Sequence, residues 1–270
     1  MNPILRHLSI CILALACWLC QANPASAENL RETPIVKAVR KFAPTVVNIG
    51  TEQRILLQKN PFWGQQFGSQ MDASHKNFFQ DHNPVAFGNL SLKSLGSGIV
   101  VSPDGLVVTN AHVAGMASKI FVTMPDGTKS EAILIGTDNA NDLALIQVYT
   151  KKPLAYLEIA DDVLIGETVI SIGNPLGLEN SVSAGIVSGT NRTFYTQPQI
   201  ESFIDLIQTD ASINQGSSGG ALVNLEGKLI GMNVAVMQNA QGLGFAIPAK
   251  KIKRMLEEYK KVRKDTKVSV

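Results

Sequence analysis

Three short stretches of this 270-residue chain carry residue types able to break a covalent bond together: 215-QGSSGG-220, 109-TNAHVA-114 and 141-NDLALIQV-148. A serine hydroxyl is a poor nucleophile until a neighbouring base takes its proton. Beyond residue 27 the histidines are His75, His82 and His112. His75 and His82 sit in a polar stretch that fixes neither, at a spacing that matches no metal pattern. His112 follows the apolar run Leu106–Val108, at a strand end where a rigid core can aim it. An imidazole base works best when a buried carboxylate holds its far ring nitrogen and tautomer. Asp142 opens an apolar run that reads as fully buried, where a carboxylate is costly unless hydrogen-bonded, and His112 would supply that partner. Asp138, in the turn-like 136-GTDNAN-141, is the rival. Gly216, Gly219 and Gly220 let the backbone turn the N–H groups of Gly216 and Ser218 towards one spot, where the oxygen of an attacked carbonyl would find stabilisation. Each signal alone is weak. Their conjunction, in the order His, Asp, Ser, is specific.

The elements around these residues read as strands. From Gly96 onwards, short apolar runs follow one another with turn chemistry between them: Ile99–Val101, Leu106–Val108, Ile120–Val122, Ala132–Ile135 and Leu143–Val148 in a first half. The second half runs Thr168–Ile172, Gly185–Ser188, Ile204–Gln208, Ala221–Val223, Leu229–Val236 and Gly244–Ile247. Even spacing of this kind indicates an all-β sandwich or barrel. The segment 150–162 is the expected joint, giving an N-terminal unit at about 44–150 and a C-terminal unit at about 162–248. Apolar residues at helical spacing predict an N-terminal helix over 34–42 and a C-terminal helix over 249–262, with a basic tail at 263–270. Residues 52–95 read as a long polar loop.

Composition narrows the class. The chain is 45% hydrophobic with a formal net charge of +2, enough apolar residue for a sizeable core and too little basic excess for a dedicated nucleic-acid binder. The basic face of the C-terminal helix reads as a solvated surface. Residues 1–27 have the form of an export signal: Arg6, the apolar run Leu8–Leu19, and Ala25-Ser26-Ala27 as a cleavage site. The apolar run falls short of the roughly 20 residues a membrane span needs. An uncleaved anchor is the alternative; otherwise no stable membrane insertion is expected. All three cysteines (Cys11, Cys17, Cys20) lie in this segment, so the chain beyond it has no disulfide, no thiolate ligand and no thiol nucleophile. No metal site and no cofactor are expected, and a periplasmic location fits.

The stretches 96-GSGIVVSPDGLVVTNAHV-113, 142-DLALI-146, 171-SIGNPLGLENSVSAGIVSG-189, 207-IQTDASINQGSSGGALVN-224 and 243-LGFAIP-248 resemble the trypsin-like serine proteases, in particular the bacterial HtrA (Deg) branch, over residues 33–260. The resemblance implies two six-stranded antiparallel β-barrels with the site in the cleft between them. It implies His112 as general base, Asp142 as its orienting partner, Ser218 as nucleophile, and the Gly216 and Ser218 amides as oxyanion hole. Ser212 would lie at the base of the primary specificity pocket, with Ile213 and the strand Asn233-Val234-Ala235 lining an apolar slot. Cleavage after small or medium aliphatic residues is then expected. The family's role implies unfolded or damaged envelope proteins as substrates, and a homotrimer formed through the N-terminal segment, with α-helical residues 34–42 and the aromatic stretches 60–67 and 78–80 as candidate contacts. The chain departs from the family at Ser217, where Asn is usual, and in the short loop 236–244. With the chain ending at Val270, the C-terminal PDZ domain typical of such proteases is not expected. A binding protein of the chaperone class, using the same cleft with an inactive or conditionally assembled triad, is the competing reading.

Overall fold

A computed structural model of the chain describes residues 31–52, 92–174, 180–197, 200–214, 216–236 and 242–268. The expected export signal, His75 and His82, the aromatic stretches 60–67 and 78–80, and residues 237–241 of the short loop lie outside the described residues. Helix α1 (Pro34–Phe42) begins where Thr33 accepts the Val36 amide on its hydroxyl at 3.3 Å, with Pro34 in the first turn. It ends on Arg40 and Lys41, which suit the negative end of the helix dipole. Its buried residues are Ala38 and Phe42. A single 3₁₀ turn over Ala43–Thr45, closed by the Thr45 hydroxyl donating to the Phe42 carbonyl at 2.7 Å, redirects the chain into the first strand.

Two closed antiparallel barrels follow. The first has β1 (Val46–Glu52), β2 (Leu92–Val100), β3 (Leu106–Thr109), β4 (Lys119–Thr123), β5 (Lys129–Asp138) and β6 (Leu143–Val148), in the order β1-β2-β3-β6-β5-β4. The second has β7 (Thr168–Gly173), β8 (Ser181–Gln197), β9 (Ile200–Thr209), β10 (Ala221–Asn224), β11 (Leu229–Val236) and β12 (Gly244–Pro248), in the order β10-β11-β12-β9-β8-β7. Closure satisfies the backbone groups that an open sheet would leave at its edges. The fold class is thus the one expected: all-β, two six-stranded antiparallel barrels, with a helix at each end.

Three apolar clusters hold this arrangement. One fills the first barrel around Val47, Ile49, Val107 and Ile146, and another fills the second around Val169, Val187 and Leu222. The largest joins the barrels, bringing Ile99, Val108, Leu143 and Leu145 of the first against Ile170, Ile172, Met232 and Ile247 of the second. Burying each such side chain fully contributes about 1.5–3 kcal/mol. The cleft between the barrels is therefore floored by core, and residues at strand ends beside it are held rigidly.

Three elements outrun their sequence expectation. Strands β8 and β9 extend well past 185–188 and 204–208, in a hairpin with five register shifts; Arg192 pairs with Leu206, and its Nε donates to Gln208 Oε1 at 2.9 Å. The C-terminal helix α3 (Ala249–Val268) continues through the expected tail, because 263–268 contains no Gly or Pro and Arg263 lies 3.5 Å from Asp104 of the first barrel. Lys250 pairs with Asp205 at 2.7 Å and Ile252 is fully buried, so α3 is fastened to both barrels.

Candidate active site

His112 stands on α2 (Ala111–Ala114), one helical turn that follows β3 directly. Ala111, Val113 and Ala114 are buried and anchor the turn, which leaves the imidazole 23% exposed at the cleft. Asp142 precedes β6 with a left-handed backbone (φ 54°), unusual for a residue with a side chain. That conformation is fixed from β3's end: the Asp142 carbonyl accepts the Ala111 amide at 3.1 Å and the Asn110 side-chain amide at 3.2 Å. The carboxylate is saturated with donors. Oδ1 accepts the His112 backbone amide at 3.0 Å; Oδ2 takes Asn110 Nδ2 at 3.0 Å and lies 2.8 Å from His112 Nδ1. The rival, Asp138, spends its carboxylate on Asn141, at 3.1 Å to the backbone amide and 2.7 Å to the side chain, and serves as a turn residue.

This geometry fixes the imidazole's orientation, with Nδ1 on the carboxylate. Burial of the ring pulls the His112 pKa down, yet the charge of Asp142 and its hydrogen bond outweigh burial and leave it above the ordinary value of 6.5.

The loop bearing Ser218 is wound tightly beside it. The Ser217 amide returns to the Asn214 carbonyl at 2.9 Å, and Gly216 just before it has φ 88°, a left-handed backbone that favours glycine. Gly219 has φ 81°, and a Cβ there would collide with the Ser97 carbonyl. Its amide donates to the Asn233 carbonyl at 2.9 Å, and the Gly220 amide to the Ser217 carbonyl at 2.9 Å. From the first barrel, the Ser97 amide donates to the Ser218 carbonyl at 2.8 Å. The Ser218 hydroxyl is partly exposed and donates to the Val234 carbonyl at 3.3 Å.

Of the residues assigned to the specificity slot, Ser212 is exposed and its carbonyl accepts from the Ser183 hydroxyl at 2.6 Å. Ile213 and Val234 are buried beside the loop. Ala235 lies on β11 paired with Phe245. Asn233 is placed differently from the expectation. It is fully buried, and its side-chain amide donates to the Ser171 hydroxyl at 3.0 Å and the Ala221 carbonyl at 3.4 Å, so it braces the barrel interior rather than lining a slot. Two residues that sequence reasoning passed over matter here: Asn110, buried and bonded to the acid, and Ser97, buried against the loop. Each stands inside a stretch already quoted, but as a small polar residue without chemistry of its own. Among the described residues no group of three or more His, Cys, Asp or Glu side chains is placed to hold a metal ion, and no helix is long and apolar enough to cross a membrane.

Residues 96–232 match the trypsin-like peptidase domain family. The chain is 38% identical over 236 residues to the putative serine protease HhoB of Synechocystis sp., covering 87% of this chain and 55% of that one. It is 37% identical over 269 residues to the periplasmic serine endoprotease DegP of Escherichia coli K12, covering 90% and 55%. The chain thus spans about half the length of these relatives. Among solved structures, the HtrA-type protease AlgW with a decapeptide superposes with a TM-score of 0.63 at 33% identity, covering 82% of this chain and 66% of that one. The serine endoprotease from Yersinia pestis gives 0.61 at 35% identity, covering 84% and 66%. On these matches the chain belongs to the trypsin-like peptidase family, in its HtrA branch.

Proposed function

We propose that this chain is a serine endopeptidase, with Ser218 as nucleophile, His112 as general base and Asp142 as the group that orients and charges-balances the imidazole. The observation that carries the reading is the 2.8 Å contact between His112 Nδ1 and Asp142 Oδ2, with two further donors holding the same carboxylate. In the reaction the Ser218 hydroxyl exchanges the Val234 carbonyl for His112 Nε2 as acceptor. A 3.3 Å hydrogen bond is easily given up, since a typical one contributes only about 0.5–1.5 kcal/mol net. Oγ bonds to the scissile carbonyl carbon as its proton passes to Nε2, and the carbonyl oxygen becomes an oxyanion facing the Gly216 and Ser218 amides. His112 then gives that proton to the leaving amine as the C–N bond breaks. Water attacks the resulting ester, losing a proton to Nε2, and Ser218 recovers it as the acid product departs. Asp142 remains ionised throughout.

Substrate choice follows from the slot. Ser212 offers no carboxylate to a Lys or Arg side chain, and its neighbour Ile213 is apolar, which supports cleavage after small or medium aliphatic residues. The substrates proposed are unfolded envelope polypeptides in the periplasm, reached by export with cleavage after Ala27. The working assembly proposed is a homotrimer. Degradation of casein by the purified protein tests the activity: Ser218→Ala is expected to lower kcat by at least about 10⁴-fold. Equal and negligible turnover in both proteins would contradict it and leave a binding role for the cleft. A panel of peptides varied before the scissile bond tests the preference; Val, Ala and Ile are expected to lead, and dominant cleavage after Arg would overturn it.

A further inference from the structure

Resting on the endopeptidase reading, we propose that Ser97 is a positioning residue: from the first barrel, its buried hydroxyl holds the oxyanion loop of the second barrel in the turn that aims the Gly216 amide. Ser97 is fully buried on β2. Its hydroxyl donates to the Gly216 carbonyl at 2.8 Å and accepts the Asn174 amide at 2.8 Å. Its own backbone amide donates to the Ser218 carbonyl at 2.8 Å, and its carbonyl accepts the Thr109 hydroxyl at 2.7 Å. One residue therefore ties down the carbonyls on both sides of Ser217. Asn174 is itself held from β1, where Asn48 Nδ2 donates to its carbonyl at 3.0 Å.

The Gly216 carbonyl and the Ser217 amide are the two ends of one peptide, so the Ser97 hydroxyl grips one end while the Asn214 carbonyl takes the other. Gly216 has φ 88°, and glycine leaves such a conformation at little cost, so bonds from outside the loop must hold it. The Ser97 hydroxyl supplies one by fixing the Gly216 carbonyl. Being buried, the site admits no water to replace the lost donor, so removal of the hydroxyl leaves a carbonyl and an amide unpaired.

The test compares the full chain with Ser97→Ala, and with Thr45→Val as control. Thr45→Val removes another buried hydroxyl-to-carbonyl bond, at the end of α1 and outside the serine loop. Two readouts are used: kcat and KM on a fluorogenic peptide, and hydrogen exchange of the Ser217 amide. Ser97→Ala is expected to lower kcat at least tenfold with KM within threefold, since misaiming one oxyanion donor costs up to about 10²–10³. Its Ser217 amide should exchange at least tenfold faster. Thr45→Val should lower the melting temperature and change neither readout. If Ser97→Ala does not fold, Ser97→Cys, with its weaker donor, is expected to show the same two changes at smaller amplitude. Ser217 exchange that stays at the wild-type rate overturns the inference, as does a kcat loss no greater than that of Thr45→Val. A wild-type protein that hydrolyses nothing, while Ser217 exchange still responds to Ser97→Ala, would sink the endopeptidase reading and leave the loop-holding role standing.

Discussion

The Asp142 carboxylate carries more than the imidazole. Asn110 Nδ2 and His112 Nδ1 share Oδ2, at 3.0 and 2.8 Å, so each weakens the other's claim on that oxygen. Removing the Asn110 donor leaves Oδ2 to the imidazole alone and strengthens its bond to the protonated ring, which raises the His112 pKa further. The base must be neutral to act, so activity should rise with pH through a value above 6.5 in the wild type, and through a still higher one in Asn110→Ala. Stability runs the other way. A folded pKa raised above the unfolded value contributes stability that is fully present below about 6.5 and fades as pH climbs through the folded value. A kcat/KM–pH profile checks the first statement; an acid limb unmoved by Asn110→Ala would contradict it. At this scale the sequence singled out His112, Asp142 and Ser218 but not the residues that support them. His112 and Ser218 stand in local motifs. Asn110 and Ser97 act only through neighbours 32 and 119 positions away, which no local pattern encodes.

Among the elements, α1 shows how a short helix can lock two barrels. It leads into β1 of the first barrel, yet its Phe42 ring packs on the β10–β11 turn of the second, where a Cβ at Gly227 would overlap the ring. Phe42→Ala should destabilise the protein by about 3–5 kcal/mol, read as a lower midpoint in chemical denaturation. A loss under about 1 kcal/mol would show that α1 rests on the surface without clamping it. The helix itself was legible from its Thr33 cap and its apolar spacing. The length of β8 and β9 was not, since the hairpin past Ser188 is bulged, and alternation gives no signal where neither face is fully buried. The turn α2 was missed for another reason: four residues are too few for a helical period, and only the pairing of Ala111 and His112 with Asp142 makes it hold.

At the scale of the molecule, the site is a joint between two barrels. The first supplies His112, Asp142 and the Ser97 clamp; the second supplies Ser218 and its loop. The apolar cluster shared by Ile99, Val108, Ile172 and Met232 sets their mutual position, and α3 reinforces it through Lys250 on one barrel and Arg263 on the other. That the strands form an all-β fold was readable from their spacing; that two barrels face each other was implied only by the family resemblance. Which faces meet was not readable, since it depends on side chains far apart in sequence. The account's central claim is that His112 activates Ser218 across this joint. Labelling with a fluorophosphonate, followed by mapping of the adduct, tests it most directly. One adduct is expected, on Ser218, rising with pH as His112 loses its proton and nearly absent in His112→Ala. An adduct on any other residue, or undiminished labelling of Ser218 in His112→Ala, would contradict it.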